Sequence, residues 1–166
     1  MFGMKDYVPN FFCDKNAFLL EHGKRLRQLR GSKFESLVTV HDEGGELWAD
    51  CPVILIAGGI QVEFCSFKED ISLTWNEIDT TEKLDWYGIS DLFLEWKTNM
   101  FDDESPIIGK SIEEIEIIEG NPGQLLGIGF SFGENYFSLF NALDETAFSF
   151  VRDDSLLYTK INEVEK

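Results

Sequence analysis

The sequence predicts an α+β domain, predominantly antiparallel β, in which a curved or barrel-like sheet surrounds an aromatic core and a short helix lies near the N-terminus. Three observations carry this expectation. Ala57-Gly58-Gly59-Ile60 and Phe132-Gly133-Glu134-Asn135 each stand between two hydrophobic runs, the pattern of a tight hairpin. Ile71 to Trp75 alternates apolar and polar side chains, as a half-buried strand requires. Fifteen Phe, four Trp and four Tyr supply bulky residues for a packed interior.

Taken in order, the first element is a helix over Asp14 to His22. Asp14 is placed to cap it, Phe18 and Leu19 offer an apolar face, and Gly23 stands where a left-handed residue would end it. The chain's basic cluster, Lys24-Arg25-Leu26-Arg27-Gln28-Leu29, follows. Phe34 to His41 is rich in β-branched residues and runs into the turn signal Asp42-Glu43-Gly44-Gly45, so Glu46 to Asp50 is expected to return as its partner strand.

Val53 to Ala57 and Ile60 to Phe67 flank Gly58-Gly59, and two glycines suit a primed turn whose central residues both need positive φ. In the second arm Ile60, Val62, Phe64 and Ser66 share one face, with Gln61, Glu63 and Cys65 on the other. Ile71 to Trp75 is the next strand, with Trp75 turned inward beside Ile71 and Leu73. Glu77 to Gly88 is an acidic, turn-prone connection carrying Trp86 and Tyr87.

Leu92 to Trp96 fits either a strand or one helical turn, and Phe101 to Pro106 is a polar loop. Ile112, Ile115, Ile117 and Ile118 define a strand that Gly120-Asn121-Pro122-Gly123 stops. Leu125 to Phe132 and Tyr136 to Leu143 form a hairpin across Gly133-Glu134-Asn135, Thr146 to Val151 is a last strand, and the charged tail from Asn162 frays.

A chain of 166 residues with 43% hydrophobic content fills one core, so residues 1–166 form a single domain. An internal duplication is suggested by Gly23 to Leu29, which matches Gly109 to Ile115 in pattern; each is followed by a glycine-turned hairpin and then an acidic segment, giving pseudo-repeats 23–79 and 109–151.

Thirty-one acidic against 14 basic side chains leave a formal net charge of −17. Such a surface repels phosphate backbones and lacks the counterion-release contribution to affinity, so nucleic acid is an unfavourable partner. Anionic membrane surfaces are disfavoured in the same way, and the longest apolar run, Pro52 to Ala57, is far too short to span a bilayer. A basic protein is the favoured partner, since acidic faces steer cationic ones into encounter. Cys13, Cys51 and Cys65 are odd in number, dispersed and flanked by apolar residues, which suits reduced core thiols; Met1 to Asp6 does not begin a signal peptide, and a cytoplasmic protein is expected.

Catalytic and metal chemistry find little support. His22 falls at the expected helix C-terminus, where a protonated imidazole favours the terminal carbonyls, and His41 ends a strand beside Asp42. No sequence around Cys51 or Cys65 resembles an activated nucleophile for His41 to serve. Asp102-Asp103-Glu104 lacks the spacing and central glycine of a calcium loop, and no zinc pattern is present, so no metal or cofactor is expected. Gly127, Gly129 and Gly133 alternate with apolar residues inside a strand and read as room for an aromatic on a neighbouring strand rather than as a phosphate cradle. Glu113, Glu114 and Glu116 read as a solvated strand face, although paired carboxylates also serve glycoside chemistry.

The aromatic and acidic connection is the expected binding surface. Asp79, Glu82, Asp85, Trp86, Tyr87 and Asp91 place rings among carboxylates, so that aromatics anchor a cationic partner and acids steer it. Trp86 suits either that role or the core.

Asp70 to Asp79, together with Phe140 to Glu145, resembles a group of small bacterial proteins without an assigned activity. In size and acidity the chain is similar to immunity proteins of bacterial polymorphic toxin systems. One type of these carries a Leu-Pro-x-x-Tyr element after its first helix, where this chain has Leu20-Glu21-His22-Gly23, and no site residue is carried over. The expected function is that of an acidic, non-enzymatic interaction protein, with an immunity or toxin-neutralising role as its concrete form. The alternative is a small-molecule binding module or an enzyme with an aromatic-lined pocket.

Overall fold

The computed structural model describes residues 1–101 and 107–161, and it is an α+β fold built mainly of antiparallel strands. The acidic stretch Asp102-Asp103-Glu104 and the tail from Asn162 lie outside the described residues.

After a two-residue edge strand β1 (Phe11–Phe12), the helix α1 spans Lys15–Gln28. Asp14 caps it as expected, its carboxylate accepting from the Ala17 backbone N–H at 2.8 Å. The expected stop at Gly23 does not occur. Gly23 is buried within the helix, and the basic cluster continues it because Leu26 and Leu29 are fully buried in the main core. Each such burial contributes about 1.5–3 kcal/mol, more than the roughly 1 kcal/mol that a mid-helix glycine costs.

The strands that follow are β2 (Phe34–Asp42), β3 (Val53–Ala57), β4 (Ile60–Phe67), β5 (Asp70–Trp75) and β6 (Leu94–Thr98). Then come β7 (Glu114–Glu119), β8 (Leu125–Phe132), β9 (Asn135–Ala142), β10 (Glu145–Ser149) and β11 (Leu157–Lys160). The Gly58-Gly59 hairpin forms with both glycines at positive φ, and Gly133-Glu134 turns the second one. Leu94–Thr98 resolves as a strand. The expected return strand over Glu46 to Asp50 is reduced to a bridge between His41 and Leu47, on the edge of β2 opposite β6, with Asp42 N–H donating to Glu46 O and Trp48 N–H to Val40 O.

Two open sheets result, ordered β1-β5-β4-β3-β2-β6 and β10-β9-β8-β7-β11, and they do not close into a barrel. Leaving β1 aside, both have one topology: a four-strand meander, then a chain segment that crosses back so that a fifth strand pairs with the first. The hydrogen bonding just past the fifth strand also repeats, Asn99 N–H donating to Leu37 O at 2.7 Å and Ile161 N–H to Ile115 O at 2.9 Å. The match between Gly23–Leu29 and Gly109–Ile115 has no counterpart in this correspondence, since the first is helix and the second a turn leading into β7.

The main core lies between the sheets. Leu55, Val62, Phe64, Leu73 and Trp75 from one face meet Ile115, Ile128, Phe130, Phe137 and Leu139 from the other, with Phe18, Leu26 and Leu29 of α1 alongside. Phe34 joins the layers by edge contacts to Phe132 at 5.7 Å and Phe137 at 5.6 Å. At one end the β4–β5 and β9–β10 turns touch: the Asn141 amide donates to Lys68 O at 2.8 Å, and the Lys68 N–H donates to the Asp144 carboxylate. A second cluster covers the outer face of the first sheet, where Val38, Val40, Ile54 and Cys65 lie beneath Phe2, Tyr7, Ile78 and Leu84. Cys51 and Cys65 are buried there, and burial raises both thiols, Cys65 to about 12; Cys13 is exposed, contrary to the expectation of a core thiol.

Candidate functional site

The 18 or so residues between β5 and β6 form the crossing segment of the first sheet, and this is the connection singled out in the sequence. Ile78 near its start and Leu84 at its middle are its buried residues, pressed into the outer cluster. Its start is pinned by Glu63, a fully buried side chain on β4 whose Oε1 accepts from the Gln61 amide at 2.6 Å and from the backbone N–H groups of Glu77 at 2.8 Å and Ile78 at 3.3 Å. Alternation along β4 made this possible: Val62 and Phe64 face the main core, so Glu63 faces the connection.

Glu82, Asp85 and Tyr87 come together, lining a groove with Met1, Gly3, Met4 and Lys5 of the N-terminal segment. The Asp85 N–H donates to Gly3 O at 2.9 Å, which docks the two segments, and the Asp85 carboxylate accepts from the Gly88 N–H at 3.1 Å. Asp79 and Asp91 lie elsewhere on the connection. Asp79 accepts from the Thr81 hydroxyl and N–H, and these bonds hold its carboxyl below the usual carboxylate range; Asp91 accepts from the Ser90 hydroxyl.

Trp86 is half-buried. Its ring meets Trp48 edge-on at 5.6 Å and Tyr87 at 5.2 Å, so it supports the surface from beneath. The rings and chains that project outward are Tyr87, Ile89 and Phe93, with 68%, 53% and 57% of their surface exposed. Lys83 lies over the Phe93 ring at 5.9 Å. Ile89 and Phe93 were not singled out in the sequence; their position beyond the last buried residue, Leu84, and before β6 is what leaves them outside.

His22 and His41 are both away from this surface. His22 sits in the middle of α1 rather than at its end, accepting at Nδ1 from the Trp75 indole N–H at 3.2 Å, and burial lowers its pKa. His41 is buried against the Thr39 hydroxyl at 2.9 Å and Gly45 O at 3.0 Å. Among the described residues no group of three or more His, Cys, Asp or Glu side chains is arranged to hold a metal ion. No helix among them is long and apolar enough to cross a membrane.

Comparison with protein-family models, with curated proteins and with solved structures finds no match for this chain.

Proposed function

We propose that the protein is a non-enzymatic binding module of the cytoplasm that engages a basic protein through the connection between β5 and β6, with neutralisation of a cationic toxin domain as its most concrete form. The observation that carries this reading is the display of Tyr87, Ile89 and Phe93 on one short segment that also bears Glu82, Asp85 and Asp91. Large apolar side chains in water cost free energy and mark binding surfaces when they cluster. Carboxylates among them favour a cationic partner, and the net charge of −17 extends that attraction over the whole molecule.

The roles divide by range. Tyr87, Ile89 and Phe93 act on contact, by desolvation, and hold the complex together; the carboxylates act at a distance and set how often encounters succeed. Blocking a basic active surface in this way needs no chemistry, in keeping with the resemblance in size and acidity to immunity proteins. The test is affinity capture on the intact protein at low and high salt, with a Tyr87→Ala, Phe93→Ala double variant beside it. A basic protein retained by the wild type and lost by the variant is expected; no basic partner at either salt concentration would overturn the reading.

A further inference from the structure

A second concave feature lies on the outer face of the other sheet, a groove of about 650 Å³ between the start of β7, the β8–β9 hairpin, the segment after β10 and the end of β11. Its floor is Tyr136. The Tyr136 ring reaches across Gly129, where a Cβ would stand 2.0 Å from the tyrosine hydroxyl, so a glycine is needed there. Phe150 lines one side. Two ion pairs form the walls: Arg152 Nη2 to Glu116 at 3.3 Å, with the guanidinium also stacked 3.7 Å above the Tyr158 ring, and Lys160 to Glu114.

Two costs to stability coincide at this floor. A glycine inside a strand weakens it. The Tyr136 hydroxyl is buried beside Arg152 without a well-formed hydrogen bond, which costs part of its solvation. Local rules broken together at one concave place are what a binding function leaves behind.

The charges narrow the ligand. An anion would meet Glu113 and Glu134 at the rim, and a cation would have to displace Arg152 or Lys160 from carboxylates they already hold. An uncharged polyol needs neither. The guanidinium has spare donors and the carboxylates spare lone pairs, which together suit vicinal hydroxyls, while the ring floor suits the C–H face of a sugar. With both carboxylates tied to cations, the arrangement holds a sugar rather than cleaving it. We propose that this groove binds a neutral saccharide of roughly one or two rings, a size that such a volume accommodates. The site is separate from the β5–β6 connection and does not depend on the function proposed there.

The experiment is an amide NMR titration of the full chain with glucose, galactose, mannose, N-acetylglucosamine and their common disaccharides, with spermidine and inorganic phosphate as charged probes. At least one neutral sugar is expected to shift the amides of Glu114, Glu116, Tyr136 and Arg152. Arg152→Lys, which removes the spare guanidinium donors and keeps the charge, should weaken that sugar roughly tenfold, as loss of one ligand hydrogen bond does. Glu114→Gln, at a half-exposed position, should weaken it without unfolding the chain, and Tyr87→Ala should leave it unchanged. Shifts produced by spermidine alone, no shift with any sugar, or an Arg152→Lys variant that binds as the wild type would each overturn the proposal.

Discussion

The indole N–H of Trp75 donates to Nδ1 of His22 at 3.2 Å, joining the last residue of β5 to the middle of α1. Nδ1 can accept only if it carries no proton, so the folded protein holds the neutral imidazole. Burial lowers the His22 pKa, Glu21 opposes that shift and Arg25 adds to it. A depressed pKa means that the unfolded chain binds the proton more readily, so this stabilisation is present in full above the unfolded value of about 6.5 and is lost as pH falls below it toward the folded value. The melting temperature of the wild type should therefore drop more than that of His22→Gln on acidification from pH 7 to pH 5. Parallel curves for the two proteins would refute the assignment.

Among the described residues Glu63 is buried without a cationic partner, held by an amide and two backbone N–H groups, and its Oε2 has no hydrogen-bond partner there. Removing it leaves the donors of Glu77 and Ile78 unsatisfied, at a cost of about 1–3 kcal/mol. The loss should be felt locally. In Glu63→Ala, hydrogen exchange is expected to accelerate across 77–93 while amides of β7 to β9 keep their protection; uniform acceleration would show that Glu63 supports the whole fold instead.

Trp86 and Tyr87 are neighbours with different tasks. Trp86→Ala removes a half-buried ring from Trp48 and should cost about 2 kcal/mol, less than the roughly 3–5 kcal/mol of a fully buried aromatic. Tyr87→Ala removes an exposed ring and should change stability by no more than about 0.5 kcal/mol. Against the captured partner, Tyr87→Ala and Phe93→Ala should raise the dissociation rate. Glu82→Gln with Asp85→Asn should lower the association rate at low salt and lose that effect at high salt, since screening acts on exposed charges. Surface plasmon resonance at two salt concentrations separates these effects, and a charge variant that alters only dissociation would contradict the division of roles.

The hairpins were legible because glycine announces positive φ, as at Gly58, Gly59 and Gly133. The companion turns at Lys68 and at Leu143 and Asp144 also adopt positive φ, and of these three only Asp144 is of a residue type that tolerates it, so the sequence announces them weakly. The helix was read too short because burial of Leu26 and Leu29 is a tertiary fact that outweighs the local stop signal at Gly23. β6 and β11 are short, and their state is set by pairing with β2 and β7, far away in the chain. On the candidate surface Glu82 and Asp85 line one groove while Asp79 and Asp91 lie elsewhere on the connection, and the division between a supporting Trp86 and projecting Tyr87, Ile89 and Phe93 depends on where Ile78 and Leu84 enter the outer cluster. The groove over the second sheet was hidden for a similar reason: Glu114 with Lys160, and Glu116 with Arg152, are brought together only by the return of β11 to β7.

Gly127 and Gly129 lie two residues apart on β8 and face the same side, yet their roles differ in a way that substitution can separate. A Cβ at Gly129 would meet the tyrosine hydroxyl of Tyr136 at 2.0 Å, the far end of a side chain. A Cβ at Gly127 would meet the backbone oxygen of Leu139 at 2.1 Å and the Cα of Phe140 at 2.7 Å. A side chain can be truncated to relieve a clash, and a backbone cannot. Gly129→Ala should destabilise by about 1–3 kcal/mol, the usual cost of overpacking. Most of that loss should disappear when Gly129→Ala is combined with Tyr136→Ala, a coupling that a double-mutant cycle measures directly. Gly127→Ala should be the more damaging change, because it forces β8 and β9 apart, and Phe140→Ala should not rescue it. Thermal denaturation of the single and double variants decides the matter: equal rescue at both glycines would mean that β9 yields to both side chains, and the packing of Tyr136 on Gly129 would then not be the reason for the glycine.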